Sequence, residues 1–154
     1  MRESVWDYPR PPGVERSGKR VRVVLGGTVV ADTTRAHRVL ETSHPPVYYV
    51  PLADILRGSL EASGGRGTVC EWKGAASYYD VIGGGRRVER GAWTYHDPAP
   101  GFEAIRDAVA FYPAPMDECT VDGELVEPQR GGFYGGWITS DVVVSARRSA
   151  PGRR

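Results

Sequence analysis

Short glycine-bearing turns constrain this chain more than any other feature. Gly26-Gly27 separates Val21-Arg22-Val23-Val24-Leu25 from Thr28-Val29-Val30-Ala31-Asp32. Both turn positions tolerate positive φ, which a tight two-residue hairpin demands. Asp122-Gly123 stands likewise between Cys119-Thr120-Val121 and Leu125-Val126, and Gly83-Gly84-Gly85 between Ser77–Ile82 and Arg86–Tyr95. The flanking runs are β-branched or aromatic and partly alternating, so they predict antiparallel strands. Twenty glycines and twelve prolines in 154 residues leave little room for a long helix.

Between these hairpins the chain is punctuated by proline. Pro45-Pro46 and Pro51 bracket a strand, Val47-Tyr48-Tyr49-Val50, and Pro113 ends another, Ala108–Tyr112. Leu52–Leu56 and Phe102–Asp107 each have room for a short helical turn. Residues 33–41 fit either a helical face, through Ala36, Val39 and Leu40, or a strand. Ser59–Thr68 has glycines and no period, and reads as a mobile loop or irregular hairpin. The expectation is eight to ten short strands with one or two short helices. Residues 1–19 form an extended Pro-rich arm packing on the domain, 20–144 a single β domain, and 145–154 a disordered basic tail.

Charge narrows the classes of partner. The net charge is +1, and four arginines fall within the last eight residues. Without them sixteen basic residues face nineteen acidic ones. Such a body gives no electrostatic footprint for nucleic acid. No apolar run reaches the ~18–20 residues of a membrane span, and residues 1–15 hold no apolar leader core. The reading is a cytoplasmic protein with no membrane or nucleic-acid partner. The two cysteines, Cys70 and Cys119, form no Cys-x-x-Cys pair, so no metal and no cofactor is expected.

Chemically capable groups are densest in Cys70-Glu71-Trp72-Lys73-Gly74-Ala75-Ala76-Ser77-Tyr78-Tyr79. In an extended segment Glu71 and Lys73 face one way and Cys70 and Trp72 the other. Lys73 beside a carboxylate among aromatics is suited to anion binding or to general acid–base work. Cys70 is either a thiol nucleophile or a small buried hydrophobe. Trp72, Tyr78, Trp93, Tyr95 and Trp137, with Tyr48 and Tyr49, divide between ordinary core and an aromatic-lined pocket. No Gly-rich loop is followed by Lys-Ser/Thr, and the single Asp-x-Glu pair, Asp122 and Glu124, sits in a turn.

The order of motifs resembles the bacterial family called domain of unknown function 427, which some classifications label nucleotidyltransferase-like. The resemblance rests on Gly27 with Val30-Ala31-Asp32, then Glu41, then Tyr48-Tyr49-Val50-Pro51. It continues through Cys70, Trp72-Lys73-Gly74-x-Ala76-x-Tyr78, Ala92-Trp93-x-Tyr95 and Pro98. Ala110-Phe111-Tyr112-Pro113, Val121-Asp122-Gly123 and Gly135-Gly136-Trp137 complete it. Ser4–Pro12 looks like the arm of the longer members. The resemblance implies a mainly β fold, an antiparallel two-sheet β-tent (Mss4-like) without zinc, and favours a strand over 33–41. It adds weight to a small-molecule site at Glu41, Tyr49, Cys70, Trp72, Lys73, Tyr78 and Trp93, with the ligand unidentified. Two alternatives stand beside it. One is an enzyme, nucleotidyltransferase-like or using Lys73 or Cys70. The other is an interaction module acting through the arm. A homodimer is left open.

Overall fold

A computed structural model of the chain describes residues 2–65, 67–70, 73–129 and 135–144. The fold is mainly β, and its sheets are antiparallel except for one short parallel pair. Three 3-10 turns, Val5–Asp7, Leu52–Asp54 and Glu103–Ile105, are the helical elements among the described residues. The last two fall inside the segments expected to be helical.

The three glycine turns form as anticipated. Gly26 and Gly27 take φ of 60° and 75°, Gly84 and Gly85 take 53° and 81°, and Asp122 and Gly123 take 49° and 82°. Two of these turns organise a four-stranded sheet, ordered Glu124–Leu125, Glu118–Val121, Val21–Leu25, Thr28–Thr33. Val21, Val23 and Leu25 are fully buried while Arg22 and Val24 are half-exposed, the alternation of a strand with one face in the core.

The third turn joins Gly74–Gly83 to Arg86–Thr94, the two longest strands. Val109–Phe111 pairs with Arg86–Thr94, and Leu60–Ala62 and Thr68–Cys70 both pair with Gly74–Gly83. Of the two readings of the glycine-rich segment, a mobile loop or an irregular hairpin, the second is nearer: it contains a strand, Leu60–Ala62, and leads into another, Thr68–Cys70. Each has three residues, too few to reveal a period in sequence. The returning strand bulges between Val88 and Ala92, opposite Asp80. There Arg90 adopts φ of 51°, and its amide donates to Asp80 Oδ1 at 2.9 Å. Arg87 donates to Asp80 Oδ2 at 2.7 Å, so one carboxylate ties both ends of the bulge.

A three-stranded sheet, Gly13–Arg16, His37–Leu40, Val47–Tyr49, completes the body. The ambiguous 33–41 segment thus contains a strand. Val50 and Val109 exchange amide bonds of 2.8 Å, joining this sheet to the edge of the long-hairpin sheet. Two short two-stranded sheets stand apart from these. Glu127–Pro128 pairs with Trp137–Ile138, and Glu3–Ser4 runs parallel to Val142–Val143. Strands of two residues explain why more segments occur than the eight to ten expected. The tail expected over 145–154 lies outside the described residues.

One buried cluster fills the space between the four-stranded and long-hairpin sheets, around Val23, Leu25, Val30, Val81, Phe111 and Trp137. A second lies under the three-stranded sheet, around Tyr49, Trp93, Tyr95, Phe102 and Ile105. Cys119 belongs to the first, and burial pushes its thiol up to about 12, which leaves it a packing group.

Candidate functional site

Strand periodicity assembles the wall of a cavity of about 240 Å³. Ala76 and Tyr78 share one face of Gly74–Gly83, and Trp93 stands directly across from Tyr78. Tyr95, two residues on, falls on the same face as Trp93. On the opposing sheet Val39 pairs with Val47, and Val47 and Tyr49 again share a face. These two faces enclose the cavity, and Tyr112 completes its aromatic wall.

The aromatic groups are locked together. Trp93 Nε1 donates to the hydroxyl of the fully buried Tyr49 at 3.2 Å, with the rings edge to face at 6.3 Å. Tyr112 lies 4.6 Å from Trp93, and Tyr95 lies 6.3 Å from Tyr49. Tyr78 shares a hydrogen bond of 2.9 Å with Thr68 Oγ1, and the Arg90 guanidinium sits 4.0 Å above its ring. Gly135 presses against the indole edge, where a Cβ would come within 2.1 Å of Trp93 Cη2.

Burial raises the pKa of Tyr49 and Tyr95 above the ordinary phenol value of 10. Tyr112 is pushed up to about 12, by burial first and then by neighbouring Tyr78. The folded values exceed the unfolded one, so the stability these phenols confer is present below about pH 10 and is lost as pH rises through the folded values. Phenolate absorbance is expected to rise mostly above pH 10, together with loss of near-ultraviolet circular dichroism. Full titration near pH 10 with the fold intact would contradict it.

The mouth of the cavity is polar, ringed by Glu41, His44, Lys73 and Gln129. Among the described residues, the side chains of Glu41, His44 and Lys73 form no hydrogen bond or ion pair. Elsewhere the pattern is different. Arg20 pairs with Asp32, Arg35 with Asp54, Arg86 with Asp117, and Arg38 with both Glu3 and Glu15.

Of the residues singled out in the sequence, Glu41, Tyr49, Lys73, Tyr78 and Trp93 line this one cavity. Trp72 lies outside the described residues. Cys70 packs, half-buried, against the second core cluster but does not line the cavity. The alternation that sets Lys73 and Cys70 on opposite faces runs through residues 71 and 72, which lie outside the described residues. Cys70 pairs directly with Gly74, so a tight reversal separates thiol from amine. Gly74, at φ of 111°, permits that reversal, and Lys73 O accepts from the Ala99 amide at 2.8 Å. No local pattern places His44 or Gln129 at the cavity; in sequence, His44 is a candidate only as an activator of Cys70. One available signal was compositional: the chain has eighteen arginines and only two lysines, Lys19 and Lys73. Lys19 is tied to Asp141 at 2.5 Å. Among the described residues no group of three or more His, Cys, Asp or Glu side chains is placed to hold a metal.

The family model described as Domain of unknown function (DUF427) matches residues 13–122. The chain belongs to this family. The matched DUF427 region contributes the aromatic wall, Lys73 and the Glu41–His44 rim. Gln129, Gly135 and Gly136 lie beyond it, as do residues 2–12. No curated protein matches the chain. No helix among the described residues is long and apolar enough to cross a membrane.

Proposed function

We propose that this DUF427 protein binds a small planar ring carrying an acidic substituent in the cavity between Trp93 and Lys73. One observation carries the reading. Lys73, Glu41 and His44 ring an aromatic cavity without partners among the described residues, in a chain that pairs so many of its other charges. A ring stacks on the Trp93–Tyr112 wall, its acidic group meets the Lys73 ammonium, and Glu41 and His44 serve polar atoms on its other edge. The volume of about 240 Å³ holds one or two fused rings and little more. Lysine suits an anion of variable geometry, since its ammonium is a point charge that needs no bidentate partner.

The nucleotidyltransferase alternative finds less support in the geometry. Asp122 Oδ1 accepts from the Arg20 amide at 2.7 Å, and Glu124 accepts from Ser140 N and Oγ at 2.6 and 2.8 Å. Both carboxylates already serve local structure, at a turn outside the cavity lining.

Titrating the protein with benzoate, nicotinate and indole-3-carboxylate tests the proposal, with the Trp93 indole N–H resonance as reporter. At least one ring acid is expected to shift it. Lys73→Met is expected to weaken that binding by about tenfold, or ~1.4 kcal/mol, with the melting temperature unchanged. An immobile Trp93 resonance with all three acids would reject the proposal, as would equal affinity in Lys73→Met.

A further inference from the structure

We propose that the amino-terminal arm positions the cavity's polar rim, with Thr42 as the residue through which it acts. The rim residues Glu41 and His44 are the two ends of a turn closed by the His44 amide on Glu41 O at 3.0 Å. Between them, Ser43 holds φ of 72°, a region that side-chain-bearing residues seldom adopt. Something outside the turn must hold it, and the arm supplies three bonds. The Ser43 amide donates to Val5 O at 2.9 Å and the Thr42 amide to Pro9 O at 3.2 Å. Thr42 Oγ1 donates to Tyr8 O at 2.5 Å.

The arm is itself fastened on both sides of these bonds. Upstream, Glu3–Ser4 pairs with Val142–Val143, Arg38 makes a fork to Glu3 at 2.9 and 3.0 Å, and the Tyr8 hydroxyl donates to Glu3 at 2.9 Å. Downstream, Gly13–Arg16 pairs with His37–Leu40, the strand that delivers Glu41. Val5 and Tyr8 are buried with Leu40 and Val142 in a cluster of their own. Residues 2–12 fall outside the family match, so the three bonds that hold the turn come from outside the matched region. Arm position then fixes where Glu41 and His44 stand relative to Lys73, and so which ligands the mouth accepts.

The consequence for ligand choice rests on the proposed binding role, whereas the positioning itself does not. The test compares Thr42→Val, which deletes the hydroxyl donor at nearly constant shape, with Thr42→Ser, which restores it, in the full chain. Two measurements need no ligand. Hydrogen exchange at the Ser43 amide is expected to quicken at least tenfold in Thr42→Val. Lys73 acetylation by acetic anhydride, read by peptide mass, is expected to quicken several-fold relative to the parent protein treated with the same reagent. Thr42→Ser should return both to the parent values. A third measurement, ring-acid affinity at Trp93, should fall several-fold in Thr42→Val and recover in Thr42→Ser. Unchanged Ser43 exchange and Lys73 reactivity in Thr42→Val would overturn the positioning role. Faster Ser43 exchange with unchanged Lys73 reactivity would overturn it too, because the turn would then not govern the mouth. If the parent protein binds no ring acid, the binding role fails while the first two measurements still decide this one. Should Thr42→Val not fold, Thr42→Ala, which deletes the same hydroxyl without the added methyl, carries the same measurements under the same criteria.

Discussion

Replacing Trp137 with alanine is expected to cost the fold about 3–5 kcal/mol, the range seen when a large buried ring is deleted. Trp137 is fully buried. Its ring lies 5.2 Å from Tyr48, and its Nε1 donates to Phe111 O at 3.1 Å. Its own amide donates to Pro46 O at 2.8 Å. One residue therefore bridges the three-stranded sheet, the long-hairpin sheet and the Pro45-Pro46 corner that borders the cavity. Alanine removes the ring and leaves the Phe111 carbonyl without its indole donor. Against a typical stability of ~5–15 kcal/mol, that loss is a large share. Trp137→Phe should fall between parent and alanine, since it keeps most of the apolar burial and loses only the donor. The check is urea unfolding of the three proteins. A Trp137→Phe protein as unstable as Trp137→Ala would mean that the hydrogen bond, and not the ring, holds this junction.

Gly84→Ala is expected to be comparably damaging, about 2–5 kcal/mol, while Gly85→Ala costs only ~1–2 kcal/mol. Both glycines have positive φ, 53° and 81°. They differ in what surrounds them. A Cβ on Gly84 would lie 1.7 Å from the carbonyl oxygen of Gly26 and 2.5 Å from its carbon, whereas a Cβ on Gly85 meets nothing within 4 Å. The turn of the long hairpin thus rests backbone on backbone against the first turn in the chain. Alanine at position 84 must push apart the four-stranded and long-hairpin sheets, and no side-chain rotation relieves it. The difference between the two variants isolates that contact, since the cost of positive φ is common to both. Equal losses would show that the turns do not touch in solution.

Those turns were also the most readable part of the sequence. A glycine pair between β-branched runs admits few backbone conformations, so Gly26-Gly27, Gly84-Gly85 and Asp122-Gly123 could be placed without tertiary information. Strands such as Leu60–Ala62 and Trp137–Ile138 are too short to show a period; the first forms along the edge of the longer Gly74–Gly83, and the second pairs with the equally short Glu127–Pro128. Strand alternation does not carry from Cys70 to Gly74, because these two residues pair with each other. At the cavity, Lys73, Tyr78 and Trp93 came from motif resemblance and from chemistry. The structure explains their neighbourhood: Tyr78 and Trp93 are cross-strand partners. Glu41 and Tyr49 reach the same place from a different sheet, through the Val50–Val109 junction. His44 and Gln129 depend on how a turn and a late segment pack, which no local pattern encodes.

The pairing of Glu3 with Val142 has a consequence for the order of assembly. The contact closes a loop of almost the whole chain, and loop closure over such a separation is among the last steps the entropy permits. During synthesis the arm emerges well before the strand that receives its Glu3–Ser4 end. Each hairpin can form as soon as its own residues leave the ribosome, and Val5, Tyr8 and Pro9 can meet the Thr42–Ser43 turn early, but the Glu3 end of the arm finds its strand only after Val142 has emerged. The anchor of the arm is therefore completed after the walls of the cavity. A chain trimmed before Val142 would carry formed sheets and an arm held at one end only.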